Sequence, residues 1–229
     1  MSGILYGIGV GPGDPELLTL KALRRIRESD IIAIPGKNVR ESVAYQIVKG
    51  VYPELDNKNL LPVPMPMTKE PAMLEASHKQ GADAVEDCLK AGKQVAFLTL
   101  GDPTVYSTYL YIHRRILSRG YEAKIVSGVP SFCAAAARLN MGLVEMAEPL
   151  HVIPATYDSG KLERDLALPG TKVLMKTGQK MKQVRESLLH SGQKAVMVEN
   201  CGMDTEKIYE SPQEIPEDAG YYSLIIVKD

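Results

Sequence analysis

The amino-acid sequence predicts a two-domain α/β protein with a parallel five-stranded N-terminal sheet and a mixed C-terminal sheet. Short apolar runs alternate with stretches of helical periodicity from the first residues onward, the rhythm of strands joined by crossover helices. The early runs are apolar at consecutive positions, as in strands covered on both faces of a parallel sheet. Further along, runs 195–199 and 207–210 lie too close together for a helical crossover. They read as a hairpin, which makes the second sheet mixed.

Residues 4–10 (ILYGIGV) form the first strand and end in glycines. A helix over 16–28 follows, signalled by Asp14-Pro15, an acceptor before a residue suited to a first helical turn. Residues 31–35 (IIAIP) make the second strand, 41–51 a helix, 60–63 a weaker third strand and 73–91 a long helix. The fourth strand is 95–100 (VAFLTL), then a helix over 107–119 and a fifth strand over 123–126. Beyond Ser127-Gly128 the texture changes to a small-residue helix over 132–139. Strands 150–154, 172–176, 195–199, 207–210 and 222–227 complete the pattern, so the domains are placed at 1–127 and 128–229.

Lys and Arg number 27 against 28 Asp and Glu, a formal net charge of -1, so no global positive field holds a nucleic-acid backbone. The three cysteines, Cys88, Cys133 and Cys201, form no C-x-x-C pair, and their odd count fits reduced thiols and a cytoplasmic location. No apolar run approaches the roughly 18 to 20 residues of a membrane span, and the start lacks the pattern of an export signal. His78, His113, His151 and His190 are scattered over separate elements without an i, i+4 pair, so no protein-bound metal is expected.

Chemistry is expected where strands turn into helices. The cluster Gly7-Ile8-Gly9-Val10-Gly11-Pro12-Gly13 bares backbone to a ligand, yet no frame of it gives the G-x-G-x-x-G dinucleotide fingerprint. Strand 95–100 runs into Gly101-Asp102-Pro103-Thr104-Val105-Tyr106-Ser107-Thr108-Tyr109, and strand 123–126 into Ser127-Gly128-Val129-Pro130-Ser131. Three such turns at the carboxyl ends of parallel strands mark the edge where open α/β sheets bind ligands. A tight turn without a ligand is the bland alternative for any one of them.

These residues carry a family resemblance. GVGPGDPELLTLKA, FLTLGDPTVYSTY, VSGVPSFCAAAARL, VLMKTG, VMVENCG and YYSLIIV together resemble the tetrapyrrole methylases from end to end. Tyr106-Ser107-Thr108-Tyr109, with Pro64-Met65-Pro66-Met67 upstream, is most similar to the members that methylate C20 of precorrin-2 or cobalt-factor II. The resemblance implies a homodimer that holds S-adenosylmethionine in the cleft between its domains and releases S-adenosylhomocysteine. The cofactor contacts it implies are Pro12, Leu100, Gly101, Asp102, Val105, Pro130, Ser131, Thr177, Cys201, Ser223 and Leu224. Ser127 and Pro130 depart from the family's P-G-V-S-S turn, and Pro130 has no N–H to donate.

The implied chemistry is attack by an electron-rich macrocycle on a methyl group, so positioning dominates catalysis. A carboxylate packed against the sulfonium would also stabilise the ground state. Asp102 is therefore expected to orient polar groups and not to serve as a counter-ion. C20 must then lose a proton, and Asp102, Tyr106, Tyr109 and water are the open choices; Asp102 and Tyr106 are taken as catalytic candidates. Lys37 and Arg40, after the second strand, and Tyr109 are expected to meet the substrate, with Lys176 and Lys180 adding positive charge for its carboxylates. Met65 and Met67 are candidates for an apolar substrate wall, and any cobalt arrives as part of the substrate.

Overall fold

The computed structural model describes residues 2–66, 68, 70–154 and 159–229, and the chain forms two compact units, Met1–Pro130 and Ser131–Asp229. In the first, β1 (Ile4–Gly9), β2 (Ile31–Pro35), β3 (Asn59–Val63), β4 (Val95–Thr99) and β5 (Glu122–Val126) make one sheet ordered β3-β2-β4-β1-β5, and every pairing is parallel. Four helices connect them: α1 (Leu20–Glu28), α2 (Val43–Val51), α3 (Pro71–Lys90) and α4 (Tyr109–Ser118). Alternate strand residues face opposite layers. Tyr6, Ile8, Ile32, Ile34, Ala96 and Leu98 pack with Ala22 and Ile26 of α1 and Ile47 and Val48 of α2, whereas Leu5, Ala33, Val95 and Phe97 pack with Val85 and Leu89 of α3 and Ile112 and Ile116 of α4. Covering both faces needs apolar side chains at every position, and each fully buried aliphatic contributes roughly 1.5–3 kcal/mol.

The first helix starts later than the sequence predicts. Asp14 accepts from Glu16 N at 2.8 Å but caps only a short 3-10 turn, Pro15–Leu17. Thr19 then opens α1, its Oγ1 accepting from Ala22 N at 3.1 Å, so two successive caps divide what reads as one helix.

In the second unit α5 (Ser131–Arg138) is followed by β6 (Leu150–Pro154), α6 (Ser159–Leu166), β7 (Thr171–Met175), α7 (Met181–Ser191), β8 (Lys194–Glu199), β9 (Lys207–Tyr209) and β10 (Ser223–Lys228). The sheet is ordered β6-β7-β10-β8-β9; β6 pairs with β7 in parallel and the other pairings are antiparallel, including the expected β8-β9 hairpin. Ala135 and Ala136 of α5 pack on Val173, Val198, Leu224 and Ile226, and α6 and α7 cover the other face through Leu162, Leu166, Val184 and Leu188. Among the described residues no helix is long and apolar enough to cross a membrane.

Lys172 lies wholly buried within β7, its ammonium paired with the Asp229 carboxylate, which also accepts from Gly170 N at 2.6 Å. The Lys172 hydrogen bond, then that of Gly170, holds the Asp229 carboxyl below the usual carboxylate range. A depressed folded-state pKa contributes stability that is present above the unfolded value, near 4, and lost as pH falls through the folded value. Asp229→Asn should therefore unfold at a lower temperature than the wild type at pH 7. The gap should close as pH falls below about 4, as thermal denaturation followed by circular dichroism would record; a gap constant from pH 7 to pH 3 would contradict the pairing.

Candidate functional site

Because β4, β1 and β5 are parallel neighbours, the loops leaving them emerge at one edge. Gly101 N donates to Gly11 O at 2.8 Å, Gly11 N to Gly101 O at 3.3 Å, and Val10 N to Thr99 O at 2.9 Å, so the first two loops are stitched backbone to backbone. The third presses against both. A Cβ added at Gly9 would lie 2.6 Å from Gly128 Cα and 2.7 Å from Gly101 O, and one added at Gly128 would lie 2.7 Å from Gly9 C. No side chain fits there, and the edge is bare backbone by necessity.

Asp102, 7% exposed, binds the loops together. Its Oδ1 accepts from Thr104 N at 2.7 Å and from Thr104 Oγ1 at 2.5 Å, and its Oδ2 accepts from Gly128 N at 3.0 Å. Buried Pro12, together with Leu100, Gly101, Val105 and Pro130, lies in the same three loops, and Val105 N donates to Asp102 O at 3.2 Å. Four of the backbone angles at these two sheets' loops are instructive. Gly101 has φ 68, as a glycine may readily adopt, but Tyr106 has φ 48, Lys176 φ 59 and Asn200 φ 53. A non-glycine residue held there costs of order 1–3 kcal/mol, and such strain clusters at functional sites.

The structure takes Tyr109 away from this edge. Its side chain is 1% exposed among Phe97, Ile112 and Ile116, and its hydroxyl shares a 2.9 Å hydrogen bond with His113 Nδ1. Burial pushes its phenol up, so it is a protonated core residue and not the substrate contact that its place in the Y-S-T-Y segment suggested. Tyr106, by contrast, is 44% exposed. Lys37 and Arg40 follow β2 at the same end of the sheet and are exposed; Arg40 lies 3.7 Å from Asp56, whose carboxylate also binds Lys49 and the Tyr45 hydroxyl. Met65 packs against the α3/α4 core layer, and Met67 lies outside the described residues.

The second sheet gathers the remaining candidates at one of its own edges. Leu224 of β10 pairs with Met175 on one side and Val198 on the other, Ser223 pairs with Glu199, and Asn200 N donates to Tyr222 O at 3.1 Å. Thr177, Cys201, Ser223 and Leu224 are thus brought together, while Ser131 opens α5. Ser223 Oγ donates to Gly220 O at 2.7 Å, which ties the start of β10 to the turn before it. Thr177 is fully buried, and its Oγ1 meets no hydrogen-bond partner among the described residues. An unsatisfied buried hydroxyl costs about 1–3 kcal/mol until a partner arrives.

Sequence reasoning gave no role to Tyr221 and Tyr222 on this edge, although they open the quoted YYSLIIV segment. Their rings meet edge to face, 5.3 Å between centroids and 81° between planes, both remain partly exposed, and burial raises both phenols. The histidines lie elsewhere: His78 stacks on Tyr111 with centroids 4.3 Å apart, His151 Nε2 is 3.0 Å from Pro169 O, and His190 Nδ1 is 2.9 Å from Glu186 O.

The sequence matches the family profile of the Tetrapyrrole (Corrin/Porphyrin) Methylases over residues 4–215. It is 41% identical over 174 residues, 76% of this chain and 72% of the relative, to the "Probable cobalt-precorrin-2 C(20)-methyltransferase" of Methanocaldococcus jannaschii. It is also 32% identical to the precorrin-2 C(20)-methyltransferase of Sinorhizobium sp, covering 99% of this chain and 97% of that protein. Among solved structures, the uroporphyrin-III C-methyltransferase of Thermus thermophilus, crystallised with S-adenosylhomocysteine, superposes with a TM-score of 0.70 at 22% identity. The match covers 99% of this chain and 98% of that one and shows that the fold is shared.

Proposed function

Because the chain belongs to the tetrapyrrole (corrin/porphyrin) methylase family, we propose that it transfers a methyl group from S-adenosylmethionine to C20 of precorrin-2 or cobalt-precorrin-2 in cobalamin biosynthesis. The observation that carries the reading is end-to-end similarity to proteins named for that reaction, 32% identity over 99% of the chain in one case. The residues fit such a donor. The glycines of the first sheet let three loops of bare backbone close up at one end of its strands, and Thr177 offers a buried hydroxyl in want of a partner.

S-adenosylmethionine supplies a methyl group already activated on a sulfonium, so the protein need only hold the reactants in line, which can be worth about 7–11 kcal/mol of the barrier. In this reading Pro12, Leu100, Gly101, Val105, Pro130 and Ser131, with Thr177, Cys201, Ser223 and Leu224, bind the donor. Asp102 fixes the loops that do so, because both its oxygens already accept hydrogen bonds. Tyr106 presents its exposed phenol towards the substrate, and Lys37 and Arg40 receive substrate carboxylates as charge-assisted partners. The enzyme acts in the cytoplasm as a homodimer, and cobalt enters only within the substrate.

The test offers metal-free and cobalt-loaded substrate side by side with carbon-13 methyl-labelled donor and locates the new methyl group by NMR. One methyl at C20 is the expected result. Labelling of another ring carbon, or donor binding without transfer to either substrate, would overturn the assignment.

A further inference from the structure

We propose that Glu199 is a positioning residue for the methyl donor: its carboxylate holds the turn at Gly220 and Tyr221 against the loop after β7, beside Thr177. The inference rests on the reading above, in which Thr177, Ser223 and Leu224 bind S-adenosylmethionine. It gives a part to a side chain that had none.

Glu199 is the last residue of β8, and its backbone pairs with Ser223 of β10 on one side and with Lys207 of β9 on the other. Its side chain joins further segments. Oε1 accepts from Gly220 N at 2.6 Å, 21 residues along the chain, and Oε2 accepts from the Tyr209 hydroxyl at 3.3 Å. A Cβ added at Gly220 would lie 3.0 Å from Oε1, so glycine at that position gives the carboxylate its room. Burial and then the Glu199 charge raise the Tyr209 phenol, which stays protonated and donates.

The turn held in this way closes on the residues assigned to the donor. A Cβ added at Gly178, next to Thr177, would lie 2.9 Å from Gly220 O and 3.2 Å from Tyr221 Cα. Gly220 O also accepts from Ser223 Oγ at 2.7 Å, so Gly220 is gripped on its N–H by Glu199 and on its carbonyl by Ser223. Release of the N–H lets the turn draw away from Gly178 and Thr177. The Thr177 hydroxyl, fully buried and without a partner among the described residues, is the second observation that points to a ligand here.

The arrangement repeats that of Asp102 in the first sheet, a carboxylate that accepts from the N–H of a glycine in another loop and from a side-chain hydroxyl. Both donors to Glu199 are neutral, so reach and acceptor geometry matter more than charge. A glutamine can accept from Gly220 N through its oxygen and donate to the Tyr209 oxygen through its NH2 group.

The test compares Glu199→Ala, Glu199→Asp and Glu199→Gln in the full-length protein. Calorimetric titration gives S-adenosylhomocysteine affinity, and product formation gives kcat and the KM of donor and substrate. Glu199→Ala should weaken S-adenosylhomocysteine and raise donor KM by about 10-fold or more, as expected for a lost hydrogen bond to a charged acceptor. Substrate KM and kcat should stay within about threefold. Glu199→Asp keeps the charge but falls one carbon short of Gly220 N and should share the loss, whereas Glu199→Gln should bind the donor within about threefold of wild type. Asp229→Asn, at the far end of β10 from Ser223, should leave donor affinity at the wild-type value although it lowers the unfolding temperature, so loss of stability alone does not imitate the effect.

Wild-type donor affinity in Glu199→Ala or Glu199→Asp would overturn the proposal, as would equal rises in donor and substrate KM, the sign of general loosening. Weak binding in Glu199→Gln with wild-type binding in Glu199→Asp would mean that the charge itself meets a ligand, and would overturn it too. A wild type that does not bind S-adenosylhomocysteine overturns the donor reading and this inference with it, so the two failures are distinguishable.

Discussion

Gly128→Ala is expected to lose S-adenosylhomocysteine binding by more than about 100-fold and to lower the unfolding temperature by about 6–12 °C, given an overpacking cost near 3 kcal/mol for a chain of this size. The new Cβ would sit 2.7 Å from Gly9 C and 2.8 Å from Gly9 Cα, and closer still to the Gly101 carbonyl. These are backbone atoms of two other loops, so no side-chain rotation relieves the clash. The third loop must move away, breaking the bond from Gly128 N to Asp102. Gly160→Ala is the control: it lies in α6 with nothing within 4 Å of the added Cβ and should leave both stability and binding near wild type. Calorimetric titration and thermal denaturation of the two variants decide the matter, and wild-type affinity in Gly128→Ala would refute the idea that the loops must touch.

The same geometry explains what was legible in the sequence. Strands covered on both faces leave unbroken apolar runs, so β1, β2, β4 and the β8-β9 hairpin could be placed from residue types alone. The glycine turns could be found as well, but not sorted by purpose. Gly9 and Gly128 let loops touch at the end of the first sheet, whereas Gly7, two residues earlier in the same cluster, makes room for Tyr109: a Cβ there would come 2.6 Å from the phenol oxygen. That is also why Tyr109 was misplaced. The Y-S-T-Y segment spans the end of a loop and the first turn of α4, and only the packing reveals that Tyr106 faces solvent while Tyr109 points under β1. Lys176 was expected to add positive charge for substrate carboxylates, and its left-handed backbone angle and half-burial leave no trace in composition; Thr177 was named by resemblance before its unsatisfied hydroxyl gave a physical reason.

Asp102→Asn separates two roles that one carboxylate could play. As a counter-ion to the sulfonium, Asp102 would favour the charged donor, and its loss would weaken S-adenosylmethionine while sparing the neutral product. As the tie between loops, it shapes the edge for both. The geometry favours the tie, since Oδ1 is taken by the Thr104 amide and hydroxyl and Oδ2 by Gly128 N. An asparagine has a single acceptor oxygen, so either the Gly128 or the Thr104 donors must face an NH2 group. Losing a hydrogen bond to a charged group costs about 1.5–3 kcal/mol, roughly a 10- to 150-fold loss of affinity where the bond shapes the binding edge. The expected result is that both ligands weaken by the same factor within about threefold, with the ratio of their dissociation constants kept at the wild-type value. Selective weakening of S-adenosylmethionine would make Asp102 the counter-ion it is expected not to be, and unchanged binding of both would remove it from the site, because a carboxylate whose three hydrogen bonds hold the edge together cannot lose one of them silently.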